Sequence, residues 1–116
     1  MATIPGEKMG NPSRYTCPEC HGTLWELEDG DLVRYRCRVG HGFSPETMVE
    51  AQSDSVERTQ WAALRALEEK ADLHRRMARR ARRGQLTKQT ARFEDSSRDA
   101  EKQAALLRRM LLSGKN

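Results

Sequence analysis

Beyond residue 44 the apolar positions recur at helical intervals, and the helix formers Ala, Leu, Arg, Glu and Gln predominate. Leu86, Phe93, Ala100 and Leu107 repeat every seven residues, and Thr90, Ser97, Ala104 and Leu111 fill the intermediate seam. Ser44-Pro45-Glu46 reads as a helix start, with Ser44 as cap, Pro at the first helical position and an acid in the first turn. Asp54-Ser55-Val56-Glu57 is a second start signal. The stretch is therefore read as a short helix over 45–52 and a long one over 55–83, or as one continuous helix. Gly84 closes it after a run of arginines, and a last helix runs over about 87–112 with Thr87 as its cap. Two long helices joined near Gly84 should fold back as an antiparallel hairpin. Ion pairs of the Glu94/Arg98 and Asp72/Arg76 kind are expected on its outer faces.

Before residue 44 the pattern changes to alternation. Trp25, Leu27, Val33, Tyr35 and Cys37 all fall on odd positions. Placing them on one face pairs Trp25 with Tyr35 and Leu27 with Val33, around a three-residue loop Asp29-Gly30-Asp31. A two-residue loop at Asp29-Gly30 would split the apolar set between the faces. This register also brings Thr23 close to Cys37. Residues 1–14, with two Pro and two Gly among polar residues, read as a flexible arm, and 113–116 as a tail. The expected fold is α+β, mostly α: a small β-hairpin ribbon over 15–43, then a helical hairpin over 44–112.

Composition narrows the possible functions. Of the 116 residues, 36% are hydrophobic and 33% charged, which suits a small module with exposed helices better than an enzyme with a large enclosed cleft. A net charge of +4 and a pI near 9.3 suit acidic partners. Residues 1–14 lack the apolar segment of a signal peptide, and no stretch approaches a membrane span, so a soluble cytoplasmic protein is expected.

Three cysteines, an odd number, argue against a disulfide framework and for metal or redox chemistry. Cys17-Pro-Glu-Cys20 is a C-x2-C pair whose short turn can aim two thiolates at one ion. Cys37-Arg-Val-Gly-His41 is a C-x3-H pair, with Gly40 and Gly42 flanking His41 and allowing a tight turn. Sixteen residues separate Cys20 from Cys37, enough for two strands and a turn. Three thiolates and one imidazole match a closed structural zinc site with no position left for water or substrate. Iron clusters usually want four thiolates, and no βαβ pattern supports a thioredoxin-like role. His21 could in principle replace His41, but adjacent residues rarely ligate one ion comfortably. His74, within a helix among charges, reads as a solvated or partly packed imidazole.

The two ends of the helical hairpin differ. Trp61-Ala62-Ala63-Leu64 lies opposite Ala104–Leu107 and Met110–Leu112, giving a base that is apolar on more than one side. Either the ribbon or a second copy of the chain should cover it. A homo-oligomer is expected, with Trp61, Leu64, Leu107 and Met110 at the interface. At the tip, Arg75, Arg76, Arg79, Arg80, Arg82 and Arg83 put six arginines in nine residues. They read as a solvated helix end favoured by the helix dipole, or as a docking surface for an acidic protein face or a phosphate backbone.

The segment TCPECHGTLWELEDGDLVRYRCRVGHGFSPE followed by WAALRALEE resembles the C-terminal extension of certain bacterial CheB-type chemotaxis methylesterases and its small free-standing relatives. The resemblance spans roughly residues 15–112. It implies the same four metal positions and nothing about catalysis, since the esterase chemistry belongs to a separate domain. No G-x-S-x-G or comparable nucleophile context occurs in this chain. The expectation is a non-catalytic, zinc-binding interaction or oligomerisation module, chemotaxis-related, with a protein partner. The alternative is a nucleic-acid or transcription-machinery binder using the arginine tip.

Overall fold

The computed structural model describes residues 10–114. Four strands come first: β1 (Asn11–Thr16), β2 (Thr23–Asp29), β3 (Leu32–Cys37) and β4 (Gly42–Phe43). Two helices follow, α1 (Pro45–Arg83) and α2 (Thr87–Ser113). The strands form one antiparallel sheet in the order β1-β2-β3-β4. By internal contacts the chain divides into two compact units, residues 1–56 and 57–116. The α+β, mostly helical class expected from the pattern is what forms, but the sheet has two strands more than the expected hairpin.

The first extra strand takes Asn11–Arg14 from the segment read as a flexible arm; residues 1–9 of that segment lie outside the described residues. A strand there carries no alternation, because β1 is an almost wholly exposed edge strand. Pro12 is tolerated because an edge strand has a free side where no ladder N–H is required. The β1–β2 register slips between Pro12 and Thr16, and the Ser13 hydroxyl donates to the Leu24 carbonyl at 2.7 Å across that irregularity.

The register of the central hairpin differs from the expected one. Asp29 pairs with Leu32 around the two-residue loop Gly30-Asp31, Trp25 with Arg36, Leu27 with Arg34, and Leu24 with Cys37. Gly30 has φ +67°, the sign that a type II′ turn demands at its first central position. The odd apolar set is thereby split: Val33, Tyr35 and Cys37 share one face with Leu24, while Trp25 and Leu27 occupy the other and are half-buried. The deciding residue is Leu24, which is completely buried. It packs with Cys17, Cys37, Phe43 and Met48, against which Tyr35 and Ala51 rest. Leu24 rather than Thr23 is therefore the neighbour of Cys37.

α1 is one continuous 39-residue helix that passes straight through Asp54. The second start signal goes unused, since nothing from Gln52 to Ser55 is a Gly or Pro that would interrupt the ladder. The helix begins in a reciprocal cap: the Thr47 amide donates to Ser44 Oγ at 3.2 Å, and the Ser44 amide donates to Thr47 Oγ1 at 2.9 Å.

At its other end the helix closes in a Schellman motif. The Leu86 amide reaches the Ala81 carbonyl at 2.9 Å and the Gln85 amide reaches Arg82 at 3.0 Å. The left-handed residue is Gln85, at φ +59°, and not Gly84 as the composition suggested. Leu86, not Thr87, holds the N-cap position of α2, where no side chain caps the helix. A non-glycine residue in left-handed backbone costs about 1 kcal/mol. Gln85→Gly is therefore expected to stabilise the hairpin by roughly 0.5–1 kcal/mol, read as a rise in thermal midpoint by circular dichroism. An unchanged or lower midpoint would contradict that backbone assignment.

The hairpin seam is built from small residues. Ala71, Ala78, Ala81, Thr90, Ser97, Ala100 and Ala104 are buried, with Leu64 and Leu111 at the apolar end. Ser97 donates from its hydroxyl to the Ala71 carbonyl at 2.9 Å, a bond possible only where the two backbones run close. The expected outer-face pairs Glu94/Arg98 and Asp72/Arg76 do not form. Glu94 instead pairs across the hairpin with Arg82, Glu101 with Arg75 and Glu68 with Arg108. Along α1, Asp72 and Arg75 are 3.6 Å apart, and along α2 Asp95 pairs with Arg98. Within each helix the cross-hairpin positions are seven apart (68, 75, 82 and 94, 101, 108), so they form one column beside the seam.

Candidate metal centre

Two backbone turns build the site. In the first, the Cys17 amide donates to the Gly22 carbonyl at 2.6 Å and the His21 amide to the Cys17 carbonyl at 2.8 Å. This curls the chain so that the Glu19 amide points at Cys17 Sγ, 3.4 Å away. In the second, the Cys37 amide donates to the His41 carbonyl at 3.0 Å and the Gly40 amide to the Cys37 carbonyl at 3.2 Å. The His41 amide then faces Cys37 Sγ at 3.3 Å. Gly40 turns the chain with φ +119°, whereas Gly42 belongs to β4, so only one of the two expected glycines makes the turn.

The four side chains singled out by spacing converge. The ligand atoms of Cys17, Cys20, Cys37 and His41 all lie within 4.8 Å of one another. Cys20 Sγ is 3.6 Å from Cys37 Sγ, and His41 Nδ1 is 3.6 Å from Cys17 Sγ and 3.2 Å from Cys37 Sγ. Tetrahedral bonds of about 2.3 Å to sulfur and 2.0–2.1 Å to nitrogen would put sulfurs about 3.8 Å apart and sulfur about 3.5 Å from nitrogen. The observed separations fit a single small tetrahedral ion. Cys17 and Cys37 are buried, His41 is half-buried, and none of the three cysteines forms a disulfide. His21 stands outside the cluster, exposed and in left-handed backbone at φ +67°.

The electrostatics divide the two buried thiols, favouring thiolate at Cys37 and opposing it at Cys17. Burial works against the charge on Cys37, but the His41 and Gly40 amides, with the His41 ring and Cys20, outweigh it and bring the thiol down to about 6. At Cys17 burial prevails over the Cys20 and Glu19 amides and holds the thiol up. A cation at the centre would displace that proton, since only the thiolate ligates. The amide donors to sulfur and the wall formed by Leu24 were not read from the sequence. Backbone donors carry no side-chain signature, and Leu24 falls out of phase with the odd-numbered pattern.

The other side chains singled out from the sequence separate. Leu64 is buried inside the hairpin with Ala104 and Leu111, with Leu67 and half-buried Leu107 packed against them. Leu64 is thus part of the fold's own core and not a surface contact, because the helical hairpin uses it to fill the gap beside Ala104. Trp61 and Met110 remain on the surface, 37% and 53% exposed. Trp61 continues the column of Glu68, Arg75 and Arg82, whereas Met110 follows that of Ser96 and Gln103, on the other flank of the seam. All six tip arginines are exposed, but Arg75 and Arg82 are held by Glu101 and Glu94. His74 is half-buried in the seam, edge-on to Phe93 at 5.8 Å between ring centroids, and its buried Nδ1 has no partner among the described residues.

Among the described residues no helix is long and apolar enough to cross a membrane. A three-thiolate, one-imidazole cluster on paired backbone turns could hold a metal ion. Compared with family models, with curated proteins and with solved structures, the chain matches none.

Proposed function

We propose that residues 10–56 form a zinc ribbon whose ion is structural, and that the chain is a non-catalytic interaction module. The carrying observation is the donor set: three sulfurs and one imidazole nitrogen at tetrahedral spacing, which together fill a zinc ion's coordination and leave no place for substrate. Thiolate-rich ligation favours zinc over magnesium or calcium, which take oxygen. On this reading the ribbon and the helical hairpin present surfaces, and the resemblance to chemotaxis methylesterase extensions suggests bacterial signal transduction as their setting. Self-association through the exposed apolar side chains at the open end of the hairpin, Trp61, Leu106, Met110 and Leu112, fits the same reading.

Elemental analysis of protein purified without chelator is expected to give one zinc per chain. Cobalt substitution is expected to give the intense visible absorption of a tetrahedral thiolate site. Well under one zinc per chain, or an octahedral cobalt spectrum, would sink the assignment. Light scattering at high micromolar concentration would separately reject self-association by finding a strict monomer.

A further inference from the structure

We propose that the back of α1 at the hairpin tip is a docking stripe for the phosphate backbone of duplex nucleic acid, centred on Arg76, Arg79, Arg80 and Arg83. At helical spacing these four residues share one face, pointing directly away from the seam residues Ala71, Ala78 and Ala81. All four are exposed. Three acids near the tip are engaged elsewhere: Glu94 and Glu101 hold Arg82 and Arg75 beside the seam, and Asp72 is also turned to Arg75. Among the described residues no acidic side chain pairs with any of the four. From residue 73 to residue 93 the chain contains no Asp or Glu, while Lys88 and Arg92 add to the local positive field from α2.

Crowding like charges at i, i+3, i+4 and i+7 disfavours the helix by about 0.2–0.5 kcal/mol per close pair, which a polyanion would reverse. The stripe puts four charges on about 10 Å of helix, and the same length of duplex carries about six phosphates, so each arginine has a phosphate within its span. The composition of the surface favours phosphate over a protein face. Protein interfaces centre on aromatic or aliphatic anchors and are depleted of charge, and between Asp72 and Arg83 Leu73 is the sole large apolar side chain exposed. Single strands are disfavoured because within residues 57–116 the one exposed aromatic ring, Trp61, lies at the open end of the hairpin, away from the stripe, leaving no ring beside it on which bases could stack.

The test is fluorescence anisotropy of a labelled 20-base-pair DNA duplex of mixed sequence, titrated with the full chain across a salt series. Four phosphate contacts predict a log–log salt slope of about −3.6, hence a loss of roughly 100-fold in affinity between 50 and 200 mM salt. The variant Arg76→Gln/Arg79→Gln/Arg80→Gln/Arg83→Gln should lose at least about tenfold at low salt and most of the slope, with helicity unchanged because Gln and Arg have similar helix propensity. The Lys replacements at the same four positions should keep the slope. A charge-matched control away from the tip, Arg65→Gln/Lys70→Gln/Lys102→Gln/Arg109→Gln, should lose far less. Absence of duplex binding, or equal losses in the tip and control variants, would overturn the proposal. So would displacement of the duplex by polyglutamate at equal charge concentration, which would assign the stripe to an acidic protein face instead.

Discussion

If the ribbon holds structural zinc as proposed, stripping the metal, or replacing Cys37 by Ser, is expected to unfold the ribbon while leaving the helical hairpin formed. The ribbon's interior consists of Leu24, Phe43 and Met48 around two of the thiols themselves, so removing the ion leaves three large apolar side chains to hold four strands. A core that small does not offset the entropy of ordering the chain. Structural zinc contributes on the order of 10 kcal/mol or more in comparable small domains. Cys37→Ser also places a hydroxyl at a position only 1% exposed. The hairpin in residues 57–116 has its own seam and its own ion pairs, so it should keep its far-ultraviolet signal. Amide resonance dispersion from β2 and β3 should collapse on chelation and return with zinc. Only deprotonated thiols ligate, so on the same reading acidification should produce the same collapse. Persistent strand dispersion in metal-free Cys37→Ser protein would show that the ion is dispensable.

Leu64→Ala is the second large effect, expected at about 2–5 kcal/mol. Leu64 is 5% exposed and packs on Ala104 and Leu111, beside Leu67 and Leu107. Of its neighbours across the seam only Ala104 is small, and partial relaxation of Leu107 and Leu111 into the vacated space sets where in that range the cost falls. Trp61→Ala, one helical turn away and 37% exposed, should cost much less despite the larger side chain deleted. Thermal unfolding followed at 222 nm would compare the two, and a Leu64 variant no less stable than the Trp61 variant would contradict the assigned core.

How far the structure could be read in advance depended on which physical signal dominated each segment. The convergence of Cys17, Cys20, Cys37 and His41 was legible because coordination demands particular atoms at particular spacings, and few other uses explain a C-x2-C followed by a C-x3-H. The seam of Thr90, Ser97, Ala104 and Leu111 was legible because a seven-residue period survives even when its members are small or polar. The ribbon register was not. Five apolar residues at odd positions looked like one face, yet the sheet is organised by Leu24 and Cys37, which must close over the cluster together. Trp25 and Leu27 tolerate the other face because a large half-buried side chain still removes much of its area from water. β1 left no pattern because nothing on an exposed edge selects for alternation. The turn was misplaced by one residue because glycine usually marks left-handed backbone, and here the Schellman hydrogen bonds hold Gln85 there instead. The ion pairs were misassigned because sequence spacing shows neighbours within a helix but not those across a hairpin.

A seam of alanines with one serine and one threonine has a weakness of its own: one small residue is much like the next, so the two helices could slide by a heptad and still close. The charged column discriminates between those frames. In the observed alignment it matches Glu68 with Arg108, Arg75 with Glu101 and Arg82 with Glu94. Shifted seven residues one way, Glu68 would meet Glu101 and only Arg75 would find an acid, Glu94. Shifted the other way, Arg75 would meet Arg108 and only Arg82 would find one, Glu101. Each exposed pair contributes little, about 0–1 kcal/mol, but either misalignment keeps fewer attractions and gains a repulsion. The charges therefore act as a parity check on the folding chain, rejecting out-of-step hairpins that the apolar surface alone would accept.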